Sequence, residues 1–293
     1  MSISINNKAN TPLLGANQIT VIQAQGNSFD LKVGELWAYR DLILLFVKRD
    51  FVVQYKQTIL GPLWHIIQPL LTTLMFTIVF GKIAKLSTDG IPPFLFYMSG
   101  VVIWTYFSAV FTEVSGTFIS NAQTFGKIYF PRLVIPISVL ISKLVSFAIQ
   151  FSFFLILLFF FVAKGAPIEP NWWVLITPLL LLMMGSFALG GGVIITAMTT
   201  RYRDLMVLIA FGVQLLMYLT PVIYPLSSLP EKWQFWASLN PIAPIIETFR
   251  YAYLGQGIVN ISMLATSATI IFITLLLGVV MFNRVERTFM DTV

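Results

Sequence analysis

The sequence predicts an all-α integral membrane protein with six transmembrane helices. Hydrophobic residues make up 57% of the 293 residues and charged residues only 10%, whereas about 25% of an ordinary soluble domain is charged. The charges are also clustered, because residues 91–112, 171–200, 205–230 and 256–283 carry none. Each of these runs reaches the ~20 residues that a helix needs to cross the hydrocarbon core. None shows the apolar–polar alternation of outer-membrane barrel strands, so the spans are expected to be helices.

Six segments are expected to span the membrane within a transmembrane domain of residues 62–284. They cover residues 63–86, 91–114, 134–163, 172–199, 205–226 and 260–283. An even number of spans places both termini on one side. Of the 18 lysines and arginines, twelve fall on that side and five on the other, and Lys143 lies within the third span. Because basic residues accumulate in cytoplasmic loops, both termini, including the tail 285–293, are predicted to be cytoplasmic.

The chain begins with residues 1–34, a polar segment that lacks the apolar core of a signal peptide and is expected to be a cytoplasmic lead-in. Residues 35–61 are predicted to form an amphipathic helix in the cytoplasmic interface. Its apolar stripe is Phe51, Val52, Tyr55 and Ile59. Gly61-Pro62 ends this helix, and Trp64 follows where an aromatic interface anchor is expected.

Residues 227–257 form the one long connection on the outer side. Three prolines cut this apolar stretch into pieces that are too short to span, which favours short helices that dip into the membrane and pack against protein. Glu247 and Arg250 are three residues apart and are expected to pair on one helical face. An ordinary outer loop with interfacial helices is the alternative.

Two cytoplasmic connections are candidates for binding a partner. Residues 116–132 are expected to contain a short helix from Ser120 to Tyr129, which Phe130-Pro131 ends. Residues 201–204 form a tight charged turn, Arg-Tyr-Arg-Asp. The alternative for either loop is that its basic residues only anchor the topology.

Composition argues against a membrane enzyme, because no reactive groups converge at one depth. There is no cysteine, a single histidine and twelve acidic residues that are spread over the chain. No paired carboxylates, metal-binding pattern, GxSxG turn or Walker A loop occurs, so we expect no metal and no nucleotide on this chain. His65 is expected to be an interfacial hydrogen-bonding residue, and Lys143 to extend its stem to the cytoplasmic interface. Energy for transport is therefore expected from a partner subunit.

Two further features have an ordinary and a functional interpretation. The chain is 15% aromatic, and many of the rings fall in the outer half. They form either an interfacial belt or the wall of a passage whose ring faces suit sugars. Gly190-Gly191-Gly192 in the fourth span is expected to allow close helix packing, with a hinge as the alternative.

Taken together, these motifs resemble the permease subunit of ABC type-2 polysaccharide exporters, which export O-antigen, capsule and teichoic acid. The resemblance covers residues 36–290. Its residues in chain order are Arg49-Asp50, Tyr55-Lys56, Leu60-Gly61, Trp64, Pro69, Gly100, Trp104, Asn121, Lys127, Phe130-Pro131, Arg201-Tyr202-Arg203-Asp204, Pro221, Asn240-Pro241 and Arg250. Each motif is weak alone, and their order and spacing make the set specific.

The resemblance implies a homodimer in the bacterial inner membrane, joined to two copies of a separate ATPase that binds ATP and magnesium. A lipid-linked glycan of the undecaprenyl type would pass between the subunits, along spans one and five, and no nucleic acid is involved. The ATPase-coupling residues would be Arg49, Asp50, Lys56, Asn121, Lys127, Phe130, Arg132, Arg201, Arg203 and Asp204. The glycan-lining residues would be Tyr97, Trp104, Tyr106, Tyr218 and Tyr224. The structural residues would be Gly61, Trp64, Pro69, Asn240, Pro241, Glu247 and Arg250.

Three other functions are alternatives to polysaccharide export. A type-2 exporter of another cargo, such as a drug, a peptide or a lipid, shares the same architecture. A membrane-embedded glycan-modifying enzyme would need converging acids or histidines. A passive scaffold would not need patterned cytoplasmic loops.

Overall fold

The computed structural model describes residues 33–56, 58–127, 130–199, 202, 204–257 and 259–289. All regular elements in these ranges are helical, and no strand occurs within them. The predicted all-α class is therefore confirmed for this part of the chain. Nearly all of the predicted lead-in 1–34 lies outside the described residues.

Twelve α-helices follow one another along the described ranges. They are α1 (Val33–Ala38), α2 (Arg40–Tyr55), α3 (Trp64–Phe76), α4 (Pro93–Ser115), α5 (Thr117–Ser120), α6 (Ala122–Phe125), α7 (Val134–Ala163), α8 (Thr177–Thr199), α9 (Leu205–Leu219), α10 (Glu231–Ser238), α11 (Ile242–Leu254) and α12 (Ile261–Phe289). Single 3₁₀ turns at Gly61–Leu63 and Trp172–Ile176 extend α3 and α8 at their starts, and a third covers Leu226–Ser228. A π-helical stretch, Thr77–Ile83, continues α3.

Five helical segments are long and apolar enough to cross a membrane. They are Gly61–Ile83, Pro93–Ser115, Val134–Ala163, Trp172–Thr199 and Ile261–Arg284. The third and fourth have the predicted bounds, and the other three start and end within three residues of them. The last helix continues to Phe289, so the predicted tail 285–293 begins as helix.

The fifth predicted span, 205–226, is shorter than expected. Its helix α9 has 15 residues and ends at Leu219, which gives ~22 Å at 1.5 Å per residue against a ~30 Å hydrocarbon core. The cause is Pro221, because a proline pushes the preceding residue out of the helical region. Thr220 is indeed extended, with φ −97° and ψ 145°.

The predicted interfacial helix 35–61 is also shorter, and it is divided in two. The short helix α1 comes first. Helix α2 then begins at Arg40 and ends at Tyr55, and Lys56 is extended. The Thr58 hydroxyl donates to the Tyr55 carbonyl at 2.9 Å, so a side chain satisfies a group at the helix end that a further turn would have used. Gly61 then adopts φ +49°, a conformation that favours glycine.

Helix α4 forms the centre of the bundle. It packs against α7, α8, α3 and α11. In its most apolar stretch of 18 residues 72% is buried, compared with 11% in the corresponding stretch of the first span. The first span and α9 therefore present most of their apolar surface outward. Burial on this scale explains why α4 shows no amphipathic pattern, since a helix enclosed on all sides needs no polar face.

Helices α8 and α12 meet at glycines. A Cβ atom on Gly278 would lie 2.6 Å from the Gly190 carbonyl oxygen, and one on Gly192 would lie 2.9 Å from the Val114 side chain. These approaches leave no room for larger residues. The packing interpretation of Gly190-Gly191-Gly192 is therefore confirmed.

The outer connection 227–257 contains two unlike helices. The α10 surface is open, with Trp233 and Trp236 about three-fifths exposed, whereas Ile242–Arg250 of α11 is buried without interruption. The expected packing against protein is thus confirmed for α11 and not for α10. Whether either helix dips into the membrane stays a prediction.

Candidate functional site

On the side of the predicted cytoplasmic loops, α2 is seated on α7 through one apolar face. Ile43 and Phe46, three residues apart, are buried. The opposite face is also apolar, because Leu44 and Leu45 are exposed there. A helix with apolar residues on two opposite faces has no clear polar side, which explains the weak amphipathicity of this segment.

A continuous set of five phenylalanine rings joins three parts of the chain on this side. We call Phe46, Phe118, Phe125, Phe130 and Phe282 the cytoplasmic ring cluster. Ring centroids are 5.6 Å apart for Phe46 and Phe130, for Phe130 and Phe125, and for Phe125 and Phe118, and 5.0 Å apart for Phe118 and Phe282. All five are buried, and the spacings are those of favourable aromatic pairs. The cluster therefore connects the interfacial helix, the loop after α4 and the end of the last span.

Two residues predicted to dock an ATPase belong to the interior instead. Phe130 is 4% exposed and is a member of the ring cluster. Arg132 is also 4% exposed, and its guanidinium lies 5.7 Å from the Phe118 ring and 5.5 Å from the Phe125 ring, a cation–π arrangement. Both side chains therefore pack within the subunit and do not offer a surface for direct docking, and their predicted part in ATPase coupling stays a prediction.

The helix expected from Ser120 to Tyr129 is replaced by two single turns, α5 and α6, with a break at Asn121. The Asn121 amide donates to the Thr117 carbonyl at 3.1 Å, which offers the backbone an alternative to continued helix. Helix ends at Phe125, and Tyr129 lies outside the described residues. Asn121 thus shapes the loop, and a long rigid lever is absent from the described residues 117–127.

Of the remaining predicted coupling residues, one pair lies against the ring cluster and three others are exposed. Arg49 and Asp50 bind each other at 2.7 Å, and Arg49 lies 4.6 Å from the Phe46 ring, so this pair caps the ring cluster. Lys56, Lys127 and Asp204 are exposed. Arg201 and Arg203 lie outside the described residues. Exposed charge next to a packed cluster is the arrangement that a protein partner could contact.

At the other end of the molecule, Arg250 is held by a network that we call the outer polar lock: Arg250, Glu247, Ser99 and the carbonyls of Pro221 and Val222. Its Nη1 lies 3.3 Å from a Glu247 carboxylate oxygen, which confirms the predicted pair. Its guanidinium also donates to the Pro221 and Val222 carbonyls, each at 2.6 Å, and to the Ser99 hydroxyl at 3.4 Å.

The lock is buried, with the Glu247 and Arg250 side chains 2% and 1% exposed. Burial lowers the pKa of the Arg250 guanidinium, and the Glu247 carboxylate opposes that shift. A buried charge needs such partners, because desolvation would otherwise exceed any gain. The spacing of the two residues indicated the pair, whereas no sequence signal indicated the carbonyls that hold it, which follow the end of α9.

Asn240 supports the same region. Its amide donates to the Thr220 hydroxyl at 2.8 Å, and its side-chain oxygen accepts the Ile242 amide hydrogen at 3.1 Å. It therefore ties the end of α9 to the start of α11, where Pro241 precedes the first turn. These contacts agree with the structural role predicted for Asn240 and Pro241.

A sequence profile of ABC-2 type transporters matches residues 41–254, which is more than two thirds of the chain. The chain belongs to the ABC-2 type transporter family. It is a multi-pass membrane permease and a transport subunit rather than an enzyme, and permeases of this family pair with ATPase subunits.

Curated relatives of this ABC-2 permease are similar over nearly their whole length. The O-antigen export system permease protein RfbA of Klebsiella pneumoniae is 28% identical over 251 residues, 86% of this chain and 94% of that protein. RfbA of Myxococcus xanthus is 25% identical over 263 residues, 89% of this chain and 98% of that protein. The polysialic acid transport protein KpsM of Escherichia coli is 24% identical over 250 residues, 83% of this chain and 93% of that protein.

The aromatic residues predicted to line a glycan passage differ in how deeply they are buried in this ABC-2 permease. Tyr97 and Trp104 are 0% and 5% exposed within the subunit, so they pack the core and do not form a wall. Tyr106 is buried and borders an internal cavity. Tyr218 is exposed and Tyr224 is half-buried, and only these two keep the predicted lining role.

Three further residues lie in the first span, and their positions fit the roles predicted for them. Trp64 is 52% exposed at the start of the first span, as an interface anchor would be. Pro69 is buried within α3. His65 hydrogen-bonds the Tyr55 hydroxyl and lies 3.2 Å from the Ser146 hydroxyl, which confirms its predicted hydrogen-bonding role and links α2 to α7.

Proposed function

We propose that the chain is the channel-forming permease subunit of an ATP-driven exporter that moves lipid-linked polysaccharide across the bacterial inner membrane, with O-antigen as the favoured cargo. The cargo is supported by the names of the relatives, two of which are named for O-antigen export and one for polysialic acid transport. A substrate of the undecaprenyl-linked type would enter from the cytoplasmic side.

The observation that carries the coupling part of this proposal is the cytoplasmic ring cluster. Exposed Lys127 follows α6 directly, and Phe125 of α6 contacts Phe118 and Phe130. A push on the loop is therefore passed by packed rings to α12 through Phe282 and to α2 through Phe46. Packed interiors transmit displacement because they are close to incompressible.

The full assembly follows from the same proposal. Two subunits, each with six spans and both termini in the cytoplasm, would form the channel, and two ATPase subunits would supply ATP and magnesium binding. The fifth of these spans would be α9, completed by residues 220–226. Closure of the ATPases on ATP would press on the loop after α4 and on α2, and the ring cluster would tilt the first and last spans.

A second cargo class stays open within the same mechanism, namely a drug, a lipid or teichoic acid. A deletion strain separates these cargoes. We expect its surface polysaccharide to disappear and lipid-linked glycan to accumulate inside the cell, and both effects to be reversed by the intact gene. Unchanged surface glycan, together with sensitivity to an exported drug or altered membrane lipid, would favour the second cargo class.

The ATPase requirement is tested by purification. A tagged chain should retain a protein with a Walker A motif, and the retained complex should hydrolyse ATP. Export that continues in cells whose partner ATPase carries a Walker A lysine substitution would contradict the proposed energy source.

A further inference from the structure

A polar cavity of about 320 Å³, open on one side, lies in the single subunit between the end of α2, the first span, α4 and α7. Its volume is at the lower end of the range for small-molecule pockets, and at ~30 Å³ per water it would hold about ten waters. The lining includes three glutamines, several hydroxyls, one lysine and one histidine. Its polar residues are Gln54, His65, Gln68, Thr105, Tyr106, Ser108, Thr112, Lys143, Ser146 and Gln150.

The cavity extends from the interface toward the membrane centre. Gln54 and His65 belong to its shallow end, whereas Gln150 is sixteen residues beyond Val134, the start of α7, or ~24 Å along the helix at 1.5 Å per residue. Polar groups at such depth are costly in a bilayer and usually mark a functional path. A structural explanation would require these groups to satisfy one another.

One of them is not satisfied. The side-chain oxygen of Gln150 is buried and has no hydrogen-bond partner, and the residue is 3% exposed. Because a buried acceptor without a donor lowers stability and Gln150 lines the cavity, a rotation of this side chain that presents its oxygen to a ligand's donor would satisfy it.

The charges near the cavity cancel. The Lys143 ammonium binds the Glu113 carboxylate at 2.6 Å, near the cytoplasmic end of α4, which agrees with the predicted extension of its stem toward the cytoplasmic interface. An anion entering here would meet one neutralised lysine and a nearby carboxylate. It would also bring only acceptors to the Gln150 oxygen, since a phosphodiester has no hydroxyl to donate.

A sugar unit satisfies all of these requirements. Its hydroxyls both donate and accept, which matches the amides of Gln54, Gln68 and Gln150. Its apolar C–H face suits the rings of Tyr106 and Phe147, which are 5.7 Å apart at the cavity wall. The volume admits one unit and not a chain.

We propose that this cavity binds one neutral sugar unit of the exported glycan, within each subunit and beside the first span, which is one of the two spans predicted to border the passage. The proposal rests on the proposed function for the source of the sugar. None of the described lining residues belongs to α9, whose exposed Tyr218 keeps the predicted passage role. The cavity would hold a sugar near the cytoplasmic side before it enters the channel.

The test uses two substitutions that act differently. Ala109→Phe fills the cavity, and Ala148→Phe is the matched control because Ala148 is exposed on α7. Gln150→Leu keeps the volume and removes the unpartnered oxygen. Saturation-transfer NMR on the permease–ATPase complex in nanodiscs would use methyl glucoside, methyl mannoside and N-acetylglucosamine as probes, with inorganic phosphate as the anionic probe.

We expect at least one of the sugars to bind the wild-type and Ala148→Phe complexes, with a more than tenfold loss in Ala109→Phe and Gln150→Leu. Gln150→Leu should raise the melting temperature while it abolishes binding, which a purely structural glutamine would not do. Absence of sugar binding in the wild type, binding retained in both variants, or binding of phosphate alone would overturn the proposal.

Glycan export by the same wild-type complex distinguishes the two failures. Export without sugar binding would overturn only the cavity site. Sugar binding without glycan export would contradict the proposed function, because the bound sugar would then have another source.

Discussion

The two ends of this ABC-2 permease are held together by different forces. The outer polar lock fixes Arg250 through a carboxylate, a hydroxyl and two backbone carbonyls, at donor–acceptor distances of 2.6 to 3.4 Å. The cytoplasmic ring cluster joins α2, the loop after α4 and α12 through ring contacts of 5.0 to 5.6 Å. Both regions are buried, and only the first depends on bonds with a preferred direction.

This difference separates a fixed end from an end that can move. Hydrogen bonds weaken steeply when their angle or distance changes, so the outer polar lock resists displacement. Ring contacts tolerate offset and tilted arrangements, and the ring planes of the cluster already range from 18° to 54°. We therefore expect the ATPase-driven displacement to move the elements at the cytoplasmic end, while the outer end keeps its geometry.

The largest loss of stability is expected from Arg250→Met. This change leaves the Glu247 carboxylate buried without its partner, which typically costs about 3–5 kcal/mol. Thermal unfolding of the purified complex would show a large drop in melting temperature, and Arg40→Met is the control because Arg40 is 56% exposed. Similar melting temperatures for both variants would show that the outer polar lock does not stabilise the fold.

A smaller loss is expected from Asn240→Ala, which cuts the link between Thr220 and α11. Losing the half-buried hydrogen bond to Thr220 together with the bond from the Ile242 amide costs about 1–2 kcal/mol. Asn260→Ala is the comparison, since Asn260 caps α12 through the Ser262 amide at 2.9 Å and is exposed. Denaturation of the two variants should rank Asn240→Ala as less stable, and the reverse order would contradict the proposed tie.

Phe130→Leu is expected to change stability little. It keeps an apolar side chain in the ring cluster and costs about 1 kcal/mol by analogy with other apolar exchanges. The complex should still assemble and hydrolyse ATP, whereas glycan export should fall. Phe272→Leu is the matched control, because Phe272 is 61% exposed on α12. A Phe130→Leu complex that dissociates would indicate that the ring mainly supports ATPase binding.

The smallest stability effect is expected from Lys127→Glu, since exposed substitutions usually change stability by less than about 0.5 kcal/mol. Its effect should appear in ATPase affinity, which we expect to fall about fivefold, or ~1 kcal/mol, and less at high salt. Lys232→Glu on α10 is the control at the outer end. Equal affinity for both variants, measured by titration of the ATPase onto nanodisc-held permease, would remove Lys127 from the docking surface.

Sequence reasoning identified the parts of the fold that depend on apolar length. Val134–Ala163 and Trp172–Thr199 were predicted to the residue, because charged residues flank them closely, at Arg132 and Lys164 for the first and at Glu169 and Arg201 for the second. It overestimated the fifth span, since hydropathy continues through Pro221 while the backbone does not. The Thr220-Pro221 pair was a signal for that stop.

The candidate site was only partly predictable. Arg132 and Phe130 were predicted to couple the permease to an ATPase, and their position in a loop gave no sign that tertiary packing buries both. Phe46 and Phe282 had no signal, because a phenylalanine among many apolar residues is indistinguishable from a lipid-facing one. The Glu247–Arg250 pair was predicted from spacing alone, since three residues bring two side chains to one face of a helix.

The ratio of ATP hydrolysed to glycan exported tests the central claim most directly. It should be measured on reconstituted permease–ATPase complexes that carry Phe46→Leu together with Phe130→Leu, with Phe272→Leu as the control. If the cytoplasmic ring cluster transmits the displacement, the double variant will hydrolyse ATP at a rate close to that of the control and export at least tenfold less glycan. An unchanged ratio of hydrolysis to export would contradict the account.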